Sequence, residues 1–258
     1  MAPVLVGSSL KTYFSHARTR TWVEAVAGTA RTHPAITGGL AELFVMPQFP
    51  SIPAALELGL PSGLRVGAQD LGTEDEGAFT GEVSGRVLAE LGCTLVEVGH
   101  AERRAMFGET EEVVAAKTTA ALRNGLTPVL CVGEPQRGRP AEAVAEVLGQ
   151  IDSALAPARE QGLEGPVVVA YEPVWAIGAP EPAGADHIRS VAAALRRSVA
   201  PDPMLPGRVI YGGSAGPGLW PTIADSVDGM FLGRFAHDPA AVARILDEVL
   251  DVADREPR

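Results

Sequence analysis

Eight short apolar runs punctuate this 258-residue chain, each separated from the next by a longer segment. They are Val4-Leu5-Val6, Leu43-Phe44-Val45-Met46, Leu64-Arg65-Val66-Gly67-Ala68, Leu95-Val96-Glu97-Val98, Val129-Leu130-Cys131-Val132, Val167-Val168-Val169-Ala170, Val209-Ile210-Tyr211 and Met230-Phe231-Leu232. Runs of this length and composition read as buried strands, and the intervening segments read as helices. Residues 112–122, 142–155 and 187–199 carry apolar side chains at helical spacing, the first ending at the C-cap signal Asn124-Gly125. Asp238-Pro239 offers an N-cap and a first-turn proline ahead of a helix over 241–252. Eight βα units fit a closed (β/α)8 barrel better than an open doubly wound sheet. The open sheet usually has fewer strands and a Gly-rich nucleotide turn after its first one, a fingerprint that Gly7-Ser8-Ser9-Leu10-Lys11 lacks. The Pro-rich stretch 200–207 falls between a helix and a strand, and no linker-like tract divides the chain. A single α/β domain over residues 1–258 is expected.

Charge narrows the partners. A net charge of -11 disfavours sequence-independent nucleic-acid binding, which needs Lys and Arg against phosphates. A small anion remains compatible, because a local group of amides and one lysine can oppose the global field. The two cysteines, Cys93 and Cys131, read as reduced buried thiols, and no His/Cys spacing suggests zinc. The N-terminal Met1-Ala2-Pro3-Val4-Leu5-Val6 has neither a basic region nor a long apolar stretch, so no signal peptide is expected. Nothing approaches a membrane span, and a cytoplasmic location is expected.

In a barrel the chemistry follows the strands' C-terminal ends. Lys11 follows the first, Gly99-His100-Ala101-Glu102-Arg103-Arg104 the fourth and Glu172 the sixth. Gly212-Gly213-Ser214-Ala215-Gly216 follows the seventh and Gly233-Arg234 the eighth. Each has an ordinary alternative: a solvated lysine, a structural histidine, a loop carboxylate, a pairing of Arg103 with Glu102 or Glu109. Their convergence on one face is the stronger signal. Pro173 holds Glu172 in an extended pose, and its aromatic and aliphatic neighbours would desolvate it, favouring a base that works near neutral pH. Glycines 212, 213 and 233 let backbone N–H groups approach an anion, and phosphate gripping after strands seven and eight recurs in barrels. A base, a lysine, a polarising histidine and amide-rich turns suit proton abstraction beside a carbonyl on a phosphorylated molecule. Residues 174–178 would form a flexible lid, with Pro173 stiffening one hinge, because an enediolate phosphate open to water can eliminate its phosphate.

These motifs, together with Gly67-Ala68-Gln69-Asp70, Gly77-Ala78-Phe79-Thr80-Gly81-Glu82-Val83-Ser84, Phe107-Gly108-Glu109, Cys131-Val132-Gly133-Glu134 and Ala170-Tyr171-Glu172-Pro173-Val174-Trp175-Ala176-Ile177-Gly178, resemble those of the triosephosphate isomerase family from the first strand to the last. The resemblance implies Glu172 as the base, His100 as a neutral electrophile and Lys11 as positive charge beside the substrate. It implies Glu102 hydrogen-bonded near Lys11 or the substrate, and Gly178, Ser214 and Gly233 as phosphate-binding amides. Pro173, Trp175, Ile177 and Phe231 would belong to the lid and its dry cage. Thr80 would reach into a partner's site in a homodimer, with no metal or cofactor.

Several positions depart from that pattern. Ser9 stands in place of a substrate-holding asparagine, Leu10 of a tryptophan, Ala101 of a serine and Phe231 of a leucine. Ala179-Pro180-Glu181 replaces Thr-Gly-Lys at the lid's far hinge, and Arg234 replaces a phosphate-binding glycine. A shorter Ser9 makes room beside the substrate, and Arg234 would clamp a phosphate. The first reading is interconversion of dihydroxyacetone phosphate and glyceraldehyde 3-phosphate. The second is isomerisation of a four-carbon ketose phosphate such as an erythrulose phosphate, and a third, of another class, is a catalytically silent metabolite-binding barrel.

Overall fold

The computed structural model describes residues 2–255. Its strands are β1 (Val4–Ser9), β2 (Ala41–Met46), β3 (Arg65–Ala68), β4 (Leu95–Val98), β5 (Thr127–Val132), β6 (Val167–Tyr171), β7 (Gly207–Tyr211) and β8 (Gly229–Leu232). All pair in parallel and in chain order, and β1 closes the ring on β8 with Leu5 opposite Gly229. Ten α-helices are described: α1 (His16–Thr32), α2 (Pro34–Thr37), α3 (Ile52–Gly59), α4 (Gly85–Leu91), α5 (Ala101–Phe107), α6 (Glu111–Arg123), α7 (Pro140–Glu160), α8 (Ala185–Val199), α9 (Trp220–Ile223) and α10 (Pro239–Arg255). The expected (β/α)8 barrel is therefore the observed fold.

Period-two alternation divides the apolar side chains between two cores. On β6, Val168 and Ala170 join Leu5, Phe44, Leu95, Val129, Ile210 and Phe231 inside the barrel. Val167, Val169 and Tyr171 face the other way, into the larger core beneath the helices. Phe44 and Phe231 stack inside the barrel with ring centroids 5.8 Å apart.

The cap signals act as read. Asn124 caps α6 and Gly125 takes φ 70°, while Asp238 Oδ1 accepts the Ala240 amide at the start of α10. Helix boundaries differ most at two ends: α10 runs past the expected residue 252 to Arg255, and α7 runs past the expected residue 155, through Pro157, to Glu160. Proline removes one ladder bond there, but Ala158 continues the buried stripe of Ile151, Ala154 and Leu155, and packing outweighs the local penalty. Among the described residues no helix is long and apolar enough to cross a membrane.

Candidate active site

The C-terminal ends of β1, β4, β6, β7 and β8 open on one cleft of about 620 Å3. Ser9, Lys11, His100, Glu102, Glu172, Ile177, Gly178, Ser214, Phe231, Gly233 and Arg234 all line it. Pro173 and Trp175 do not; the Trp175 indole turns away from the cleft, its Nε1 donating to Glu134 Oε1 at 2.9 Å. Thr80 is exposed on the loop between β3 and α4, away from this chain's own cleft.

Glu172 is only 6% exposed. Its backbone N–H donates to Val132 O at 2.8 Å, extending the sheet one residue past β6. Two glycines give it room. A Cβ at Gly133 would sit 2.0 Å from the Glu172 carbonyl oxygen, and one at Gly212 would sit 2.3 Å from Oε1. Oε2 is buried without a hydrogen-bond partner and lies 3.6 Å from His100 Nε2. A carboxylate oxygen with no protein partner, held in a cleft, is left to meet whatever occupies that cleft.

His100 caps α5 with its own ring, Nδ1 accepting the Glu102 amide at 3.0 Å. That amide fixes the lone pair on Nδ1, so the neutral ring carries its proton on Nε2, facing Glu172 and the cleft. Glu102, in the first turn of the helix, accepts from Lys11 Nζ at 2.7 Å. Burial opposes the lysine's charge, but that hydrogen bond and the carboxylates of Glu102, Glu172 and Glu97 outweigh it and hold the ammonium above its usual range. Lys11 adopts φ 46°, a sparsely populated region for a side-chain-bearing residue. Gln69 braces it, its Nε2 donating to Lys11 O at 3.0 Å and to Met46 O at 2.9 Å. Ser214 is the other non-glycine residue with positive φ among those described, at 54°. Both strained residues stand in the cleft.

Residues 174–178 fold down onto the turns after β7 and β8. The Ser214 hydroxyl shares its single proton between Ala176 O at 2.8 Å and Ala179 O at 3.0 Å, and Tyr211 Oη accepts the Ala183 amide at 3.0 Å. Arg234 Nη2 donates to Gly178 O at 3.1 Å. The guanidinium thus rests on the 174–178 loop at the cleft's mouth, next to the Gly233 turn.

Of the two alternative partners expected for Arg103, the structure selects Glu109. Arg103 binds Glu109 and Asp70 at 2.5 and 2.8 Å, not Glu102, which the lysine has taken. Sequence reasoning also passed over Glu97, absorbed into the apolar run of β4. Alternation points it inward, where it is 3% exposed, lines the cleft and accepts from Ser9 Oγ at 2.8 Å. Burial pushes its carboxyl upward, reinforced by the nearby Glu172 charge and opposed by His100. The signal was present: a lone carboxylate in a barrel strand, in phase with Leu95, costs too much to bury without a polar partner. Cys93 and Cys131 are free and buried, as expected. Among the described residues no group of three or more His, Cys, Asp and Glu side chains is placed to hold a metal ion.

The cleft thus sets a partnerless buried carboxylate against an imidazole N–H and an ammonium at the mouth of a (β/α)8 barrel, and the chain as a whole has relatives among known proteins. The family model for triosephosphate isomerase matches residues 4–249. The chain is 50% identical to an L-erythrulose-1-phosphate isomerase of Pectobacterium atrosepticum, over 97% of each chain. It is 37% identical to a triosephosphate isomerase of Synechococcus, over 96% of this chain and 97% of that one. A second L-erythrulose-1-phosphate isomerase, from Rhizobium etli, is 39% identical over 82% of this chain and 81% of its own. The chain belongs to the triosephosphate isomerase family and is an isomerase of small sugar phosphates.

Proposed function

We propose that the substrate is a four-carbon ketose 1-phosphate and that the reaction passes through an enediolate. The observation that carries the substrate reading is at Ser9. Its hydroxyl is bound to Glu97, and the short side chain leaves space beside Lys11 and His100 for an extra hydroxymethyl group. The likeness to the Pectobacterium protein supports the same reading. Triose phosphate is the second reading, supported by the Synechococcus protein and its relatives.

In this mechanism Glu172 takes the proton from the carbon beside the substrate carbonyl. His100 Nε2–H donates to the oxygen that gains charge, and Lys11 stabilises that charge from the other side. Glu172 returns its proton to the neighbouring carbon, while the hydroxyl proton passes between the two oxygens through His100. The carbonyl moves one position: a tetrulose 1-phosphate becomes the tetrulose 4-phosphate, and dihydroxyacetone phosphate becomes an aldose phosphate. The amides of Gly178, Ser214 and Gly233 grip the phosphate, and Arg234 adds a guanidinium beside them. Ile177 and Phe231 keep water from the enediolate.

The test is kcat/KM on erythrulose 1-phosphate and dihydroxyacetone phosphate, measured side by side at one pH. The tetrulose is expected to be preferred by about 10–200-fold, the scale that one or two small groups in a pocket supply. A preference for triose phosphate of that size would reverse the reading. Arg234→Gly, which removes a charge from the cleft's mouth, should shrink the tetrulose preference; an unchanged ratio would remove Arg234 from the specificity argument.

The protein acts as a homodimer in this reading. Large apolar side chains stand exposed at Phe79 beside Thr80, at Met106 and Phe107 on α5, and at Tyr13. Such surface is costly to leave in water. Thr80→Arg is expected to give a monomer with weak turnover, read by sedimentation and by assay. A fully active dimer would show that the loop lies outside the interface.

A further inference from the structure

Glu134, just beyond β5, is 2% exposed and receives donors from three separate elements. Trp175 Nε1 on the lid donates to Oε1 at 2.9 Å. The Tyr171 hydroxyl at the end of β6 lies 3.1 Å from Oε2 and 3.2 Å from Oε1. His187 Nε2, on α8, lies 3.1 Å from Oε1 and 3.0 Å from the Tyr171 oxygen. Burial pushes the Tyr171 phenol far up, so it keeps its single proton. A bare Nε2 lone pair at 3.1 Å from Oε1 would set two acceptors face to face, so this nitrogen carries a proton. The assignment then closes: Tyr171 O–H goes to Oε2, and the Trp175 and His187 N–H groups go to Oε1. The His187 ring also packs edge-on against Trp175, with centroids 5.7 Å apart, and Arg137 covers the indole at 5.4 Å.

We infer that His187, which does not line the cleft, is a positioning residue for the lid: its Nε2–H donor fixes the Glu134 carboxylate to which Trp175 is anchored. This rests on the reading of 174–178 as a lid over an enediolate and extends it to the hinge. Removing the donor leaves Oε1, buried, with Trp175 alone. The carboxylate turns, and the lid loses its fixed point. A looser lid admits water to the enediolate, whose carbon–oxygen bond to phosphate then breaks with the electron pair leaving on the phosphate.

Two substitutions separate hydrogen bonding from packing. His187→Phe keeps a flat ring against Trp175 without a donor, and His187→Gln puts an amide N–H near the Nε2 position without the ring. On whichever sugar phosphate the wild type turns over faster, His187→Phe is expected to lower kcat/KM by about ten- to a hundredfold, the scale of a displaced positioning group. Inorganic phosphate released per turnover should rise with it, and His187→Gln should restore both to near wild type. The Trp175 indole N–H resonance, assigned by its loss in Trp175→Phe, should move upfield in His187→Phe and stay in place in His187→Gln. This readout needs no substrate, so it decides the anchor even if neither sugar phosphate is turned over and the isomerase reading fails. The opposite order, with phenylalanine like wild type and glutamine impaired, would overturn the inference in favour of packing alone. An indole shift with unchanged turnover and unchanged phosphate release would overturn it as well.

Discussion

Glu172→Gln is expected to lower kcat by about 10^2–10^4-fold on either sugar phosphate while KM changes far less. The reason lies in the geometry of one oxygen. Oε2 is buried, has no hydrogen-bond partner and lies 3.6 Å from His100 Nε2. An amide of the same shape fills the space but cannot accept the carbon-bound proton. It also turns either a second N–H toward a ring nitrogen already carrying one, or a carbonyl oxygen far less basic than the carboxylate. Glu172→Asp keeps the chemistry but withdraws the carboxylate by about one bond, and should also reduce kcat more than it alters KM, with a smaller loss than glutamine gives. Stopped assays of both variants check this. Near-wild-type kcat in either would assign the base elsewhere.

The largest expected effect on stability is at Lys117. Its Nζ lies 2.6 Å from Asp70 Oδ1 and 2.5 Å from Glu109 Oε1, and all three side chains are buried. Arg103 completes the cluster. Burial pushes Asp70 up, whereas Glu109, despite its own burial, is held below its usual range by hydrogen bonds from Lys117 and Arg103. Lys117→Met leaves two carboxylates facing each other with only Arg103 between them. Removing one partner from a buried ion cluster costs about 3–5 kcal/mol, because the remaining charges lose compensation but stay out of water. Urea unfolding at fixed protein concentration measures the loss, and a change below about 1 kcal/mol would mean the cluster relaxes into solvent. Because Arg103 belongs to α5, whose first turn His100 caps, part of this loss should also appear as reduced turnover.

The barrel was legible because a parallel strand buried on both faces must be apolar throughout, and eight such runs leave few other ways to close a sheet. The run at residues 95–98 matches β4 residue for residue, and Asn124-Gly125 ends α6 where its chemistry requires. Lys11, His100 and Glu172 were legible because they stand just past strand ends, where polar groups have little structural reason to be. Glu97 was not, since a single carboxylate inside an apolar run is lost to a pattern that counts hydrophobic residues. The Glu134 cluster was hidden for a different reason. Its donors, Tyr171, Trp175 and His187, lie up to 53 residues away and meet only through the barrel's closure. The strained backbones of Lys11 and Ser214 were equally invisible, because local propensity argues against positive φ and only the bracing around them permits it. The true length of α7 depended on a buried alanine beyond a proline, a tertiary preference overriding a local one.

Proton exchange tests the central claim most directly. With its preferred sugar phosphate in D2O, the wild-type enzyme should place one deuterium on the former carbonyl carbon, which receives its hydrogen from Glu172, so that this carbon's proton signal is missing from the product. Glu172→Gln, at the same enzyme concentration, should leave the substrate protonated over the same interval. Deuterium appearing at an undiminished rate in the glutamine variant would contradict the account.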